Sequence, residues 1–524
     1  MSLTLVTGGT RSGKSRRAET LALASGLPVR YVATADGSDP SMAERIRRHA
    51  ERRPSGWTTV EAGAALAEAV TAGAGECVLL DGLGPWIATA LHRAGAFDGA
   101  GEQAFAEVRA SVMADVEALV RAAAGPDPVI VVAEEAGQGV LPPDSASRAW
   151  LDMLGDAKER LAEVAERVEL VIAGRPLALA GGTPPAPDSL RRHGDAELSP
   201  GLADHAVNVM AGGPPDWLRD ALHTALDADA GRYPDEATAA RALAALHGRD
   251  PDEVVPANGA AEALWLLPAA LRPALACCVH PAFTESEAAL RAHGVPVVRV
   301  LRDPERDFAL DPAAIPHEAD LVVVGNPASP SGTLDPAAAL LAVRRPGRVV
   351  VVDEAFMDLV PGEPASLVRE RLDDVIVVRS LTKSMGVPGL RAGYAVAAPA
   401  LADRLRAVRP PWAVNTLALA ALAATAERPE ALAAAAERAD AERSDLAERL
   451  AGLAGVRTWP GAANFCLVEV ADGPATAAAL RQRGIAVRPA ASFPGLGPGH
   501  LRITARGAAE NERVARALAE ATAP

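Results

Sequence analysis

The chain has 524 residues, enough for three or four domains that each bury a core, and carries 52 Lys plus Arg against 67 Asp plus Glu for a net charge of −15. That balance, with no long basic block, argues against a nucleic-acid partner, and no apolar run reaches the ~18 residues of a membrane span. Cys77, Cys277, Cys278 and Cys466 show no CxxC spacing, so neither a zinc site nor a disulfide framework is expected. The opening "MSLTLVTGG" reads as a buried strand rather than a signal peptide, and a reducing cytoplasm is the expected location.

From residue 3 to about 178, strand-length apolar runs ("LTLVTG", "VRYVAT", "CVLLDG", "VIVVAEE", "VELVIAG") alternate with stretches of helical period. This pattern predicts an α/β domain with a parallel sheet. Gly8, Gly9, Thr10, Arg11, Ser12, Gly13, Lys14 and Ser15 satisfy GxxxxGK[ST] between a predicted strand and a predicted helix. In that setting backbone N–H groups wrap the phosphates of ATP or GTP, Lys14 reaches the outer phosphates, and Ser15 offers a hydroxyl to Mg²⁺. Asp81, ending "CVLLDG", stands where a second carboxylate for that metal is expected, although a strand-end Asp is as often a plain surface residue.

"LALAGGTPPAPDSLRRHGD" is rich in Gly and Pro without periodicity and predicts a linker over 179–192. The remainder alternates again through "ALACCVHP", "ADLVVVGNP", "RVVVVDEAF", "DVIVVRSLTK" and "AGYAVAA", turns Ala-rich and helical from about 416 to 450, and closes on "ANFCLVEV" and "GHLRITA". Two lobes are expected in 193–524: a large one over about 230–415, and a small α+β one from about 193–229 plus 416–524.

Lys383 follows the strand "DVIVV", with Ser380, Thr382 and Arg391 nearby in "RSLTKSMGVPGLRAGY". A lysine that bonds to a cofactor aldehyde needs this company: hydroxyls and a guanidinium for a phosphate, and surroundings that lower the ammonium pKa. Asp353 ends "RVVVVDEAF" where a carboxylate can pair with a pyridinium nitrogen, and Asn326 in "GNPASPSG" can donate to a ring hydroxyl. Gly259, Ala260 and Ala261 open a helix whose N-terminal amides suit a phosphate, and Phe283 in "HPAF" can stack on a ring. Each is weak alone; together, in this order, they point to one site.

Residues 1 to about 178 resemble the bifunctional adenosylcobinamide kinase and adenosylcobinamide-phosphate guanylyltransferase family, through "LVTGGTRSGKSRRAE", "YVATA", "MAERIRRHAERRP", "LLDGLGPWI" and "GQGVLP". The resemblance implies that His49, in "RIRRHAERRP", takes up GMP from GTP before passing it to the cobinamide phosphate. A neutral imidazole can attack an α-phosphorus that nearby cations have made electrophilic. The pattern departs at Glu134 and Lys158, where the family usually carries Asn. Those departures support a competing expectation, that the first half is a non-catalytic nucleotide-binding module.

Residues from about 191 resemble the fold-type I pyridoxal-phosphate enzymes, nearest to threonine-phosphate decarboxylase, with histidinol-phosphate aminotransferase as the alternative. "SLTK" before "PGLRAGY", and Phe356 where the histidinol enzymes typically carry Tyr, favour the decarboxylase. The resemblance implies pyridoxal 5′-phosphate as cofactor, L-threonine O-3-phosphate as substrate, Arg502 as its carboxylate clamp and Arg488 as a second contact. His193 would lie near the substrate phosphate and Asn208 near its carboxylate. Tyr233 resembles the tyrosine that reaches the cofactor phosphate of a neighbouring subunit, implying at least a homodimer.

Overall fold

Runs such as "LTLVTG" and "VVVVD" are apolar on successive residues rather than alternate ones, as strands covered on both faces require. In the computed structural model, which describes residues 3–34, 54, 56–62, 66–70, 75–96, 102–137, 142–180 and 188–523, the chain divides into two units, Met1–Thr183 and Pro184–Pro524. No helix among the described residues is long and apolar enough to cross a membrane.

The first unit contains β1 (Leu3–Gly8), β2 (Val29–Ala33), β3 (Thr58–Glu61), β4 (Cys77–Asp81), β5 (Val129–Glu134), β6 (Arg167–Ile172) and β7 (Arg175–Ala180), in the sheet order β3-β2-β4-β5-β1-β6-β7. All pairings are parallel except β6 with β7. Leu3 and Leu5 pack into the core on one face and Val6 into that on the other. Gly8 is in register with Glu134, and Asp81 with Val132, so the loop after β1, Asp81 and Glu134 share the carboxyl edge of adjacent strands. Ligands bind at such an edge in open α/β sheets.

The second unit contains β8 (Ala203–His205), β9 (Val254–Asn258), β10 (Ala276–His280), β11 (Val297–Leu301), β12 (Leu321–Gly325), β13 (Val349–Asp353), β14 (Val375–Ser380), β15 (Ala392–Ala397), β16 (Arg457–Thr458), β17 (Phe465–Glu469), β18 (Ile485–Pro489) and β19 (His500–Thr504). The large sheet runs β11-β10-β12-β13-β14-β15-β9, parallel through β14, with β15 antiparallel to both neighbours. A smaller sheet, β16-β17-β19-β18-β8, forms the second lobe.

Two expected boundaries move. Residues 179 and 180 belong to β7, and Asp188–Arg191 forms a 3₁₀ turn whose Leu190 is buried and accepts a hydrogen bond from Thr284; of the expected linker, 181–187 lies outside the described residues. The helices Asp216–Asp229 and Thr416–Ala426 join the large lobe, because Leu218, Ala418, Leu419, Ala421 and Leu422 pack into the core of its sheet. The second helix is apolar nearly all round, the composition of a buried helix.

Candidate active sites

In the first unit, β1 turns into the helix Lys14–Ala24 through two left-handed residues, Arg11 (φ 57°) and Gly13 (φ 97°). A Cβ on Gly8 would stand 2.7 Å from the Val171 carbonyl oxygen, so only glycine lets β1 pass that close to β6. Lys14 is buried, with Nζ 3.4 Å from the Gly9 carbonyl and 3.7 Å from Glu134 Oε1. Ser15 Oγ donates to Asp81 Oδ1 at 2.8 Å, and the Tyr31 hydroxyl donates to the other Asp81 oxygen. Hydroxyl and carboxylate in contact at a strand edge are a donor set suited to Mg²⁺. Thr10 and Arg11 lie exposed on the loop, and Ser12 Oγ is buried beneath it without a hydrogen-bond partner.

The two departures from the family pattern have partners of their own. Glu134 caps the helix Leu83–Arg93 by accepting from the Gly84 N–H at 2.7 Å, and faces Lys14. Lys158 pairs with Glu135 at 3.1 Å, and Glu135 also accepts from Thr7. His49 lies outside the described residues.

The second unit holds a cavity of about 520 Å³ lined by most of the residues singled out for it. Ala260 and Ala261 line it at the start of the helix Ala260–Leu271, with Phe283, Asp353, Ser380, Thr382, Lys383 and Arg391 around them. Gly259 precedes that helix with φ 79° and ψ 162°, a backbone conformation that glycine adopts without strain and residues with a Cβ rarely do. Ser380 Oγ and Thr382 Oγ1 are 2.6 Å apart. His193, Asn208, Arg488 and Arg502 also line the cavity. Arg488 and Arg502 are register partners on β18 and β19, so both guanidiniums project from the same face of the small sheet.

Burial, reinforced by the charges of Arg502 and Arg391, lowers the Lys383 ammonium to about 8. Burial likewise pushes Asp353 from 3.8 up to about 6, against the pull of the Ala355 N–H and of Lys383. A buried carboxylate with one backbone hydrogen bond fits a pyridinium nitrogen. Three further buried groups lining the cavity have an atom without a hydrogen-bond partner: Asn208 Nδ2, Arg502 Nε and Arg488 Nη1, the last 3.7 Å from Glu197 Oε1. These residues therefore fit both a phosphorylated pyridine aldehyde and an anionic substrate.

Two linkage consequences can be measured. A carboxyl whose folded pKa lies above its unfolded value stabilises the fold fully below 3.8, and that stability is lost as pH rises through about 6. The shift corresponds to about 3 kcal/mol. Asp353→Asn is therefore expected to raise the melting temperature of the cofactor-free second unit above pH 6, with the gain shrinking to nothing toward pH 4; melts across that range check it. Arg502 hydrogen-bonds Ser329 Oγ at 3.0 Å and the Ala206 carbonyl at 2.8 Å, leaving Nε for a ligand. Loss of a charge-assisted hydrogen bond costs about 1.5–3 kcal/mol, so Arg502→Ala should raise KM for a carboxylate-bearing substrate about 10- to 150-fold in steady-state kinetics.

Besides Gly259, which only adjoins the lining residue Ala260, two expected residues stand apart from the cavity. Asn326 is fully buried but its amide is committed to the Asp335 backbone, Nδ2 donating to the carbonyl at 3.1 Å and Oδ1 accepting the N–H at 2.8 Å. Tyr233 is 76% exposed and stacks on Trp412, ring centroids 4.3 Å apart. His193 lines the cavity but is tied to Glu285 at 2.6 Å, and Trp265 holds the other oxygen of that carboxylate. Sequence reasoning passed over Glu285, Ser329, Asp195 and Phe493 as lining residues. Glu285 lies close to Phe283 in "HPAFTE", and that nearness was the available signal. Phe356 also lines the cavity, its ring centroid 5.7 Å from Lys383 Nζ.

Family comparisons agree with this two-site architecture. Residues 4–179 match the cobinamide kinase / cobinamide phosphate guanyltransferase family, and residues 203–519 match aminotransferase class I and II. A bifunctional adenosylcobalamin biosynthesis protein of Pseudomonas aeruginosa is 38% identical over 180 residues, 34% of this chain and 96% of the relative. A histidinol-phosphate aminotransferase of Mycobacterium tuberculosis is 46% identical over 321 residues, 60% of this chain and 87% of the relative. The crystal structure of L-threonine-O-3-phosphate decarboxylase from Porphyromonas gingivalis superposes with a TM-score of 0.55 at 25% identity, covering 60% of this chain and 97% of that one.

Proposed function

The chain belongs to two families, joining a cobinamide kinase / cobinamide phosphate guanyltransferase half to a class I and II aminotransferase half, and on that premise we propose that it carries out successive parts of one assembly in cobalamin biosynthesis. The first half phosphorylates adenosylcobinamide with ATP or GTP and then transfers GMP from GTP to the product. Lys14 steadies the outer phosphates, Ser15 and Asp81 hold Mg²⁺, and His49 accepts the GMP. The second half decarboxylates L-threonine O-3-phosphate to (R)-1-amino-2-propanol phosphate, the side arm of cobinamide.

The observation that carries the second assignment is the pair of buried guanidiniums, Arg488 and Arg502, additional to Arg391 on the cofactor side. They suit a substrate with two anionic ends, a carboxylate and a phosphate. Bound pyridoxal phosphate supplies an electron sink for charge left on Cα when a bond there breaks. The chain's residues do the rest. Arg391, Ser380, Thr382 and the helix start hold the cofactor phosphate, and Asp353 faces the ring nitrogen. Lys383 carries a proton to or from Cα, and Arg502 fixes which Cα bond stands perpendicular to the ring plane. A second reading, a histidinol-phosphate-type aminotransferase, is favoured by the name of the Mycobacterium tuberculosis relative. It differs in requiring a 2-oxoacid for turnover.

Four buried free thiols accord with a reducing cytoplasm. Exposed Tyr233 is assigned to the cofactor phosphate of a neighbouring subunit, which makes the active form at least a homodimer. The first unit is assigned the nucleotide chemistry and the second the pyridoxal chemistry. The first assignment is tested by incubating the full chain with α-labelled GTP and Mg²⁺, then denaturing it. Acid-labile label on the wild type and none on His49→Ala is expected; GTP binding without any label would leave the first half a binding module.

A further inference from the structure

Behind the ring-nitrogen carboxylate lies a group that the reaction as described does not use. β10, β12 and β13 are adjacent parallel strands, with Cys278 in register with Val323 and Gly325 with Asp353. Cys278, Val323 and Val351 pack in one core on one face of the sheet, and strand alternation puts His280 and Asp353 on that face as well. Gly325, on the strand between them, places no side chain in the gap.

The gap is a small, partly open cavity of about 10 Å³, lined by Cys278, His280, Phe283, Ser286, Gly325 and Asp353 among others, which is room for one water molecule. His280 is fully buried; its Nε2 is 2.7 Å from Glu287 Oε2, and its Nδ1 has no hydrogen-bond partner. Glu287 is itself fully buried and accepts from Arg291 and Arg299. Burial pushes the Glu287 carboxyl up, but hydrogen bonds from His280 and Arg299 and the charge of Arg291 outweigh it and hold it well below the usual range. With Nε2–H donating to Glu287, Nδ1 is the ring atom left without a partner.

We propose that this cavity is a water site, and that its water links His280 Nδ1 to Asp353, making the His280–Glu287 pair a positioning device for the carboxylate that faces the cofactor. Arg291, Arg299 and His280 Nε2–H donate to Glu287, and the water bridges His280 Nδ1 and Asp353, donating to the Asp353 carboxylate. That direction keeps Asp353 anionic and in one orientation. The charged and titratable groups around it are Lys383 and, through Lys383, Arg391 and Arg502 on one side, and Cys278, His280, Glu287, Arg291 and Arg299 on the other. The proposal rests on the reading of Asp353 as the ring-nitrogen partner.

The test is a double-mutant cycle on pyridoxal-phosphate affinity, measured on the full chain by spectroscopic titration, together with a high-resolution crystal structure of the wild type. His280→Phe should weaken cofactor binding about tenfold in the wild type and less than about twofold in an Asp353→Asn background. Equal losses in both backgrounds would show that His280 acts only through packing and would overturn the proposal. Should His280→Phe not fold, the wild-type density decides: a water within hydrogen-bonding distance of both His280 Nδ1 and Asp353 supports the site, and a dry cavity overturns it. Asp353→Asn binding the cofactor as tightly as the wild type would overturn the reading of Asp353 and the linkage with it, a failure recognisable without any His280 variant.

Discussion

Replacing Lys383 by alanine is expected to lower turnover of the second half by at least about a thousandfold, within the range lost when a group that moves protons in the rate-limiting step is removed. Lys383 lies just beyond the carboxyl end of β14, within the cavity and with its ammonium lowered to about 8, so a useful fraction is neutral near pH 7. No other lysine lines the cavity, and the arginines there remain charged and cannot take over. The loss will not be one of folding. Burial already disfavours the ammonium, so the cofactor-free chain gives up no charge stabilisation at pH 7 when it is removed. Turnover, melting temperature and GTP affinity measured on the same preparation separate these effects: turnover should fall with no loss of melting temperature or of GTP affinity.

Lys14→Ala should cost the first half about 10²–10³ in kcat for phosphoryl transfer, the loss typical when one preorganised donor to developing charge is removed. The amine lies between the Gly9 carbonyl and Glu134, so its removal leaves the Glu134 carboxylate uncompensated beside the phosphate loop. Adding Glu134→Gln to Lys14→Ala should therefore recover part of the lost nucleotide affinity, although not the rate. Isothermal titration with GTP and single-turnover kinetics with ATP report the two quantities separately.

Much of both sites was legible because their residues end buried strands. Gly8, Asp81, Asp353 and Ser380 each close an apolar run, and such runs stand out in a sequence whatever their tertiary partners. β3 and β7 were missed for the opposite reason: Thr58–Glu61 is short, polar and largely exposed at a sheet edge, and Arg175–Ala180 merges into the Gly/Pro-rich segment that follows. Pairings between distant segments were not legible. Glu134 with Lys14, Lys158 with Glu135 and His193 with Glu285 depend on which strand edges and helix faces meet, and no local pattern records that. The commitment of Asn326 to the Asp335 backbone is a turn-level bond that composition does not signal. The lobe boundary moved because an Ala-rich helix can serve either lobe until packing assigns it.

The most direct test of the account supplies the full chain, loaded with pyridoxal phosphate, with L-threonine O-3-phosphate as the sole amino substrate and no 2-oxoacid, and follows carbon dioxide and the phosphorylated amine together. The account predicts continuous turnover with carbon dioxide and aminopropanol phosphate released in equal amounts, abolished in Lys383→Ala and untouched in Lys14→Ala. Turnover that stops after one equivalent, releases no carbon dioxide and resumes only when 2-oxoglutarate is added would contradict it and establish an aminotransferase.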